Sequence, residues 1–123
     1  MQRSLTVALL VGGVLSASAA TAAAHPKLLK TDPPADAVTA TAPKELRLIF
    51  NEELVPKFCG IELADKSGKK VETGAMAPDA SDKKQLVVPL PTQLTDGIYK
   101  VTWHAVGDDT HRVQGSYSFT VKH

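Results

Sequence analysis

The residue with the richest chemistry in this sequence is a histidine that follows a run of alanines. His25 comes directly after Ala22, Ala23 and Ala24, and small residues in this pattern mark a signal-peptidase cleavage site. Cleavage after Ala24 would make His25 the first residue of the mature chain. Its α-amine and its imidazole would then supply two nitrogen donors from one residue, and together they form a bidentate clamp for a metal such as Cu(II).

A second pair of donors lies near the other end of the chain. Asp109 and His111 follow an alternating segment that ends near Ala105. Residues i and i+2 of an extended segment point to the same side, so the spacing predicts a carboxylate beside an imidazole. With His25, the set offers three nitrogens and one oxygen. This combination in a tetragonal arrangement suits one Cu(II) per mature chain.

The neighbouring residues narrow the choice of metal site. Pro26 has no backbone N–H to lose, so the metal cannot bind the second amide nitrogen. A square-planar peptide-nitrogen site would also need histidine at the third mature position, which holds Lys27. Sulfur donors are scarce, because Met76 is the one methionine after residue 24 and Cys59 is the one cysteine. Since Cu(I) prefers such donors, we expect no dedicated Cu(I) site.

Residues 1–24 are predicted to be a cleaved signal peptide. A basic residue is followed by the apolar run Leu5–Leu15 and then by small residues. This order is typical of a secretory signal, and the apolar run is too short to span a bilayer. Cleavage after Ala19 or Ala22 also fits the small-residue pattern. The sequence therefore predicts a periplasmic domain over residues 25–123, with no membrane insertion.

Composition excludes several classes of function. The chain has 14 basic and 13 acidic residues, and loss of Arg3 with the signal makes the numbers equal. A neutral domain has no basic excess to attract nucleic acid or anionic lipid. A single cysteine, Cys59, excludes an internal disulfide, so packing must stabilise the fold. We expect one domain, in monomeric form.

The pattern after residue 25 is that of short β-strands. Apolar and polar residues alternate over four segments, namely Leu46–Phe50, Cys59–Leu63, Tyr99–Ala105 and Tyr117–Val121. Period two predicts strands with one buried face. Further short strands are expected at 28–30, 36–39, 69–73 and 84–90, with 74–83 as a loop. About seven short strands without a helical period favour an all-β antiparallel sandwich.

Several segments, taken in order, resemble the CopC family of periplasmic copper-binding proteins. The resemblance covers essentially the whole chain after the signal and includes the new N-terminus. The segments are His25–Leu28, Thr31–Asp36, Leu46–Glu52, Gly97–Trp103, Asp109–His111 and Gly115–Val121.

This resemblance implies an immunoglobulin-like β-sandwich or Greek-key barrel. It also implies a Cu(II) site made by the N-terminal histidine, the Asp-x-His pair and, in some members, a glutamate, whose place here is taken by Glu52. Some members add a methionine-rich loop that binds Cu(I). The corresponding stretch 74–83 contains only Met76, so the chain resembles the subtype with a Cu(II) site alone. The implied function is copper buffering or carriage, with a possible CopD-like membrane partner.

Two other classes of function are compatible with parts of the sequence. An N-terminal histidine, a second histidine and copper also form the histidine brace of lytic polysaccharide monooxygenases. The chain is small and poor in aromatic residues for such an enzyme, and Asp109 would fill coordination space that oxygen activation needs. The third class is a metal-free immunoglobulin-like interaction module.

The other residues that could bind a metal have simpler interpretations. We expect His104 to be solvated and His123 to be frayed at the end of the chain. We expect Cys59 to be a buried, inert thiol.

Overall fold

The computed structural model describes residues 12–14 and 25–123. The predicted signal peptide, 1–24, falls almost entirely outside these residues. Among the described residues, no helix is long and apolar enough to cross a membrane. The described residues form nine strands and one 3-10 turn. In chain order they are β1 Leu28–Asp32, β2 Val38–Thr39, β3 Glu45–Phe50, the 3-10 turn Pro56–Phe58, β4 Gly60–Asp65, β5 Lys70–Val71, β6 Ala77–Pro78, β7 Gln85–Pro89, β8 Gly97–Val106 and β9 Arg112–Val121.

The strands form two sheets. The four-stranded sheet has the order β1-β3-β7-β6, and the five-stranded sheet has the order β2-β9-β8-β4-β5. The predicted all-β sandwich is confirmed. Every pairing is antiparallel except that of β2 with β9, which is parallel over Val38 and Thr39. Eight of these strands overlap segments predicted as strands, and the additional one is β6, which is only two residues long.

The core between the sheets follows the alternation in the sequence. Leu46, Leu48 and Phe50 of β3 are at most 1% exposed, whereas the residues between them are partly exposed. The alternate residues of β8 from Tyr99 to Ala105 are also buried. Trp103 meets Phe50 edge to face across the core, with ring centroids 5.4 Å apart. The alternation of apolar and polar residues therefore predicted the buried faces of the central strands correctly.

The segment 74–83, predicted as a loop, contains the short strand β6. Asp79, just after β6, accepts a hydrogen bond of 2.5 Å from the guanidinium of Arg47 on β3. Arg47 also donates to the side chain of Gln85 on β7, at 2.8 Å. These bonds join the segment to the solvent-facing side of the four-stranded sheet. The prediction of a loop is wrong for Ala77 and Pro78 and correct for the rest of 74–83. The contact with Arg47 that orders the segment comes from a distant part of the chain.

Three parts of the chain meet at one end of the sandwich. The start of β1 lies beside the end of β3, since Leu28 pairs with Phe50. The loop between β8 and β9 begins at Gly107, which forms a bridge to Leu54 just after β3. The N-terminal segment, the β3 end and the β8–β9 loop are thus brought together by strand pairing alone.

Candidate metal centre

His25, Asp109 and His111 converge at this end of the sandwich. One ligand atom from each lies within 4.8 Å of the other two. The Oδ2 atom of Asp109 is 3.5 Å from Nδ1 of His25 and 3.3 Å from Nδ1 of His111. The two imidazole rings have centroids 5.0 Å apart and planes inclined by 43°. The three residues singled out from the sequence are therefore neighbours in space.

The Asp109–His111 pair is held by a turn and not by the extended segment that its spacing predicts. Thr110 has φ of 65°, in the left-handed region. Its N–H donates to the carbonyl of Gly107, at 3.1 Å. The N–H of His111 donates to Oδ1 of Asp109, at 3.2 Å. Because Oδ1 accepts this local bond, Oδ2 is the oxygen that faces the two histidines.

Oδ2 of Asp109 is the least satisfied atom of the cluster. It is shielded from solvent and has no hydrogen-bond donor among the residues that the structure describes. The side chain of Asp109 is 22% exposed, whereas those of His25 and His111 are 51% and 62% exposed. A shielded carboxylate oxygen without a partner is costly. A cation shared with the two imidazoles would satisfy it, so the donor set fits a metal ion.

The segment that carries His25 is fixed by a residue that the sequence analysis missed. The Lys27 N–H donates to Oδ1 of Asn51 at 2.8 Å, and the Asn51 N–H donates to the Lys27 carbonyl at 3.0 Å. Between Lys27 and His25, Pro26 is buried. Asn51 is not among the site residues that the sequence predicts. Its place directly after the last apolar residue of β3 was the available signal, since asparagine side chains often bind nearby backbone groups.

Glu52 lies at the edge of the same region and not within the three-residue cluster. Its carboxylate covers Gly107, where an added Cβ would strike the Glu52 carboxylate and lie 3.1 Å from Cγ of Pro26. Gly107 is buried under these two side chains. The structure therefore places Glu52 beside the base of the β8–β9 loop, next to the segment that carries His25.

The other histidines are engaged elsewhere. His104 on β8 lies across Gly60, with its ring in the space that a Cβ there would need. Burial, followed by the charge of Arg112, lowers the pKa of His104. His123 is held by Asp96, which accepts a 3.0 Å bond from its N–H and contacts its Nδ1. The expectation of a frayed C-terminal histidine is thus wrong, because a distant acidic residue holds it.

The side chains of Cys59 and Met76 are partly buried and pack against the core. The thiol of Cys59 donates to the carbonyl of Val55 at 3.3 Å and accepts from the N–H of Val106 at 3.4 Å. Burial raises the pKa of this thiol, so the thiolate that would bind a metal is disfavoured. Met76 is partly buried and packs against the core.

Comparison with known proteins identifies the class to which this fold and site belong. The CopC domain family matches residues 28–122, a range that includes Asp109 and His111. The chain belongs to the CopC family, and it is a copper-binding copper resistance protein.

Individual relatives support this assignment over the whole chain. The sequence is 38% identical to copper resistance protein C of Escherichia coli over 125 residues, covering 96% of this chain and 98% of that protein. The structure is similar to that of PcoC, a methionine-rich copper resistance protein from Escherichia coli, with a TM-score of 0.73 and 41% identity. That match covers 80% of this chain and all of PcoC. CopC from Methylosinus trichosporium OB3b matches with a TM-score of 0.74 and 32% identity, over 80% of this chain and 94% of that one.

Proposed function

We propose that the mature protein is a periplasmic Cu(II) carrier or buffer that binds one ion through His25, Asp109 and His111. The observation that carries this proposal is the shielded Oδ2 of Asp109, which faces both imidazoles and has no donor among the described residues. Imidazole nitrogens with a carboxylate oxygen form a donor set that suits Cu(II). Glu52, at the edge of the site, is the candidate for an additional and weaker ligand.

The proposal requires that the signal be removed after Ala24. Only then does the α-amine of His25 become a donor, which completes three nitrogens and one oxygen. Pro26 favours this mode of binding because it has no amide proton for Cu(II) to displace. The signal also accounts for the proposed location, since a secretory signal delivers the chain to the periplasm.

The oxidation state follows from the scarcity of accessible sulfur. PcoC is described as methionine-rich, whereas this chain has two methionines, Met1 and Met76. Met76 and Cys59 both pack against the core. Cu(I) prefers thioether and thiolate donors, so the site is proposed to serve Cu(II) alone.

We propose a binding protein and not an enzyme, because the Asp109 carboxylate occupies coordination space at the metal. Copper-loaded protein should form no hydrogen peroxide from ascorbate and oxygen beyond the level of free copper under the same chelation.

A CopD-like membrane protein is the proposed exchange partner. The two largely exposed histidines support this, since an incoming ligand can reach them directly.

The deciding experiment compares two N-termini. One protein begins at His25 and the other carries one extra alanine before it, which moves the α-amine away from the imidazole. Intact mass spectrometry gives the native cleavage site and the copper stoichiometry, and titration with a competing chelator gives the affinity. We expect one Cu(II) for the native terminus, a weaker affinity for the extended one, and different electron paramagnetic resonance spectra. Identical affinities and spectra would overturn the proposed site.

A further inference from the structure

The N-terminal segment is fixed immediately before it reaches the metal site. Lys27 and Asn51 exchange two hydrogen bonds, one of them to the Asn51 side chain. These bonds extend the pairing of β1 with β3 beyond Leu28 and Phe50. Chain termini are usually poorly ordered unless something holds them. Here the last backbone hydrogen bonds are at Lys27, two residues from His25.

A second contact holds the residue between them. Pro26 is buried, and its ring lies over Gly107, where an added Cβ would be 3.1 Å from Cγ. The fixed φ of proline restricts the chain further. Pro26 therefore joins the N-terminal segment to the base of the loop that carries Asp109 and His111. His25 has few remaining degrees of freedom relative to those two residues.

We infer that Asn51 is a positioning residue for copper binding, acting on His25 through Lys27 and Pro26. This inference rests on the proposed function. Without the Asn51 side chain the N-terminal segment loses a bond to its backbone, and the terminal histidine must be ordered when copper binds. Ordering a group on binding lowers the affinity, whereas prior ordering raises it. Loss of a residue that orients a metal ligand typically costs about 10–100-fold in affinity.

The test uses the protein that begins at His25 with two substitutions, Asn51→Ala and Asn51→Asp. The first removes the acceptor for the Lys27 N–H and the second keeps it. We expect Asn51→Ala to weaken Cu(II) binding by about 10–100-fold and Asn51→Asp to restore most of the affinity. Gln114→Ala, an exposed polar change on β9, is the control and should leave the affinity unchanged. Thermal denaturation of each copper-free protein shows whether it is folded.

A double-mutant cycle separates positioning from general damage. In a His25→Ala background the imidazole is gone and only the α-amine of residue 25 remains for Asn51 to position, so Asn51→Ala should cause a smaller further loss. Equal losses in both backgrounds, or no loss in the native one, would overturn the inference. If His25→Ala itself leaves the affinity unchanged, the proposed metal site is wrong. If it weakens binding and Asn51→Ala does not, only the positioning role of Asn51 is wrong.

Discussion

The imidazole rings of His25 and His111 lie with their centroids 5.0 Å apart, although the two residues stand near opposite ends of the sequence. Oδ2 of Asp109 lies within 3.5 Å of Nδ1 on each ring. The two rings and this shielded oxygen define a small polar space. The fold brings His25 to Asp109 and His111, which are themselves held close together by the turn at Thr110.

The first prediction concerns the histidines. His111→Ala should weaken Cu(II) binding by more than about 100-fold, because even the loss of a residue that supports a metal ligand costs about 10–100-fold. His104→Ala is the matched control, since His104 lies across Gly60 on β8 and outside the cluster. It should change the affinity by about twofold or less, which is within about 0.5 kcal/mol. Chelator competition measures both, and equal losses would show that the metal binds elsewhere.

The second prediction is that protons or reduction release the metal. Amine and imidazole must lose a proton to bind, so copper should leave as pH is lowered from 7 towards 4. Ascorbate with a Cu(I) chelator should also strip the protein, because Met76 and Cys59 pack against the core and the raised pKa of Cys59 keeps its thiol protonated. Optical titration with the chelator follows the transfer. Tight retention of Cu(I) would contradict the prediction. If the Met76→Leu variant then failed to retain Cu(I), the thioether of Met76 would be the ligand.

The third prediction concerns Thr110, whose left-handed backbone sets the turn between Asp109 and His111. A residue with a side chain destabilises the folded state by about 1–2 kcal/mol in this backbone region. Glycine avoids that cost but lowers the folding stability by about 0.5–1 kcal/mol, because it gives the unfolded chain more conformational entropy. Thr110→Gly should therefore leave the copper-free protein as stable or slightly more stable, and should weaken copper binding severalfold because the turn becomes flexible.

Asp36 provides the control for Thr110, since it has φ of 62° and lies outside the metal cluster. Asp36→Gly should leave copper affinity unchanged. Thermal denaturation and chelator competition on the same samples measure the two effects. A loss of copper affinity in Asp36→Gly equal to that in Thr110→Gly would rule out a specific role for the turn.

The fourth prediction links Asp79 to acid stability. Hydrogen bonds from the Ser81 hydroxyl and then from the Arg47 guanidinium hold the pKa of Asp79 well below its ordinary value of 3.8. The folded state thus favours the ionised carboxylate. That stability is present above the pKa of the unfolded chain and is lost as pH falls towards the lower folded value. Asp79→Asn should lower the melting temperature at pH 7, and the difference from the native protein should narrow below about pH 4.

Glu72→Gln is a suitable control for Asp79, because Glu72 is exposed and forms no salt bridge among the described residues. Its melting temperature should match that of the native protein throughout the pH range. A difference for Asp79→Asn that stays constant from pH 7 to pH 2.5 would contradict the prediction, since it would show that the ionisation of Asp79 does not contribute.

The sequence predicted the central strands well because their burial has a period. Leu46, Leu48 and Phe50 are buried as their alternation indicates, and the same holds along β8. The parallel pairing of β2 with β9 was not predictable in this way. A strand of two residues has no period, and its partner is chosen by the tertiary fold. The order around Asp79 was missed for the same reason, since Arg47 is distant in sequence.

The neighbours in the candidate site could be predicted from the residue spacing, but the backbone turn that brings them together could not. Asp109 and His111 are adjacent because Thr110 turns the chain and Oδ1 binds the His111 N–H. A spacing of two residues is compatible with either an extended segment or such a turn, so spacing alone could not distinguish them. The role of Asn51 depends on its contact with Lys27, which appears only when β1 is paired with β3.

The position of the three donors gives bound copper a mechanical role. His25 precedes β1 in the four-stranded sheet, whereas Asp109 and His111 precede β9 in the five-stranded sheet. An ion held by all three would cross-link the two layers and close a long loop of chain, which restricts the unfolded state as a disulfide does. The single cysteine excludes an internal disulfide, so bound copper would act as a reversible cross-link in its place. Gain or loss of the metal would then alter resistance to unfolding and to proteolysis, and the lifetime of the protein would depend on the copper supply.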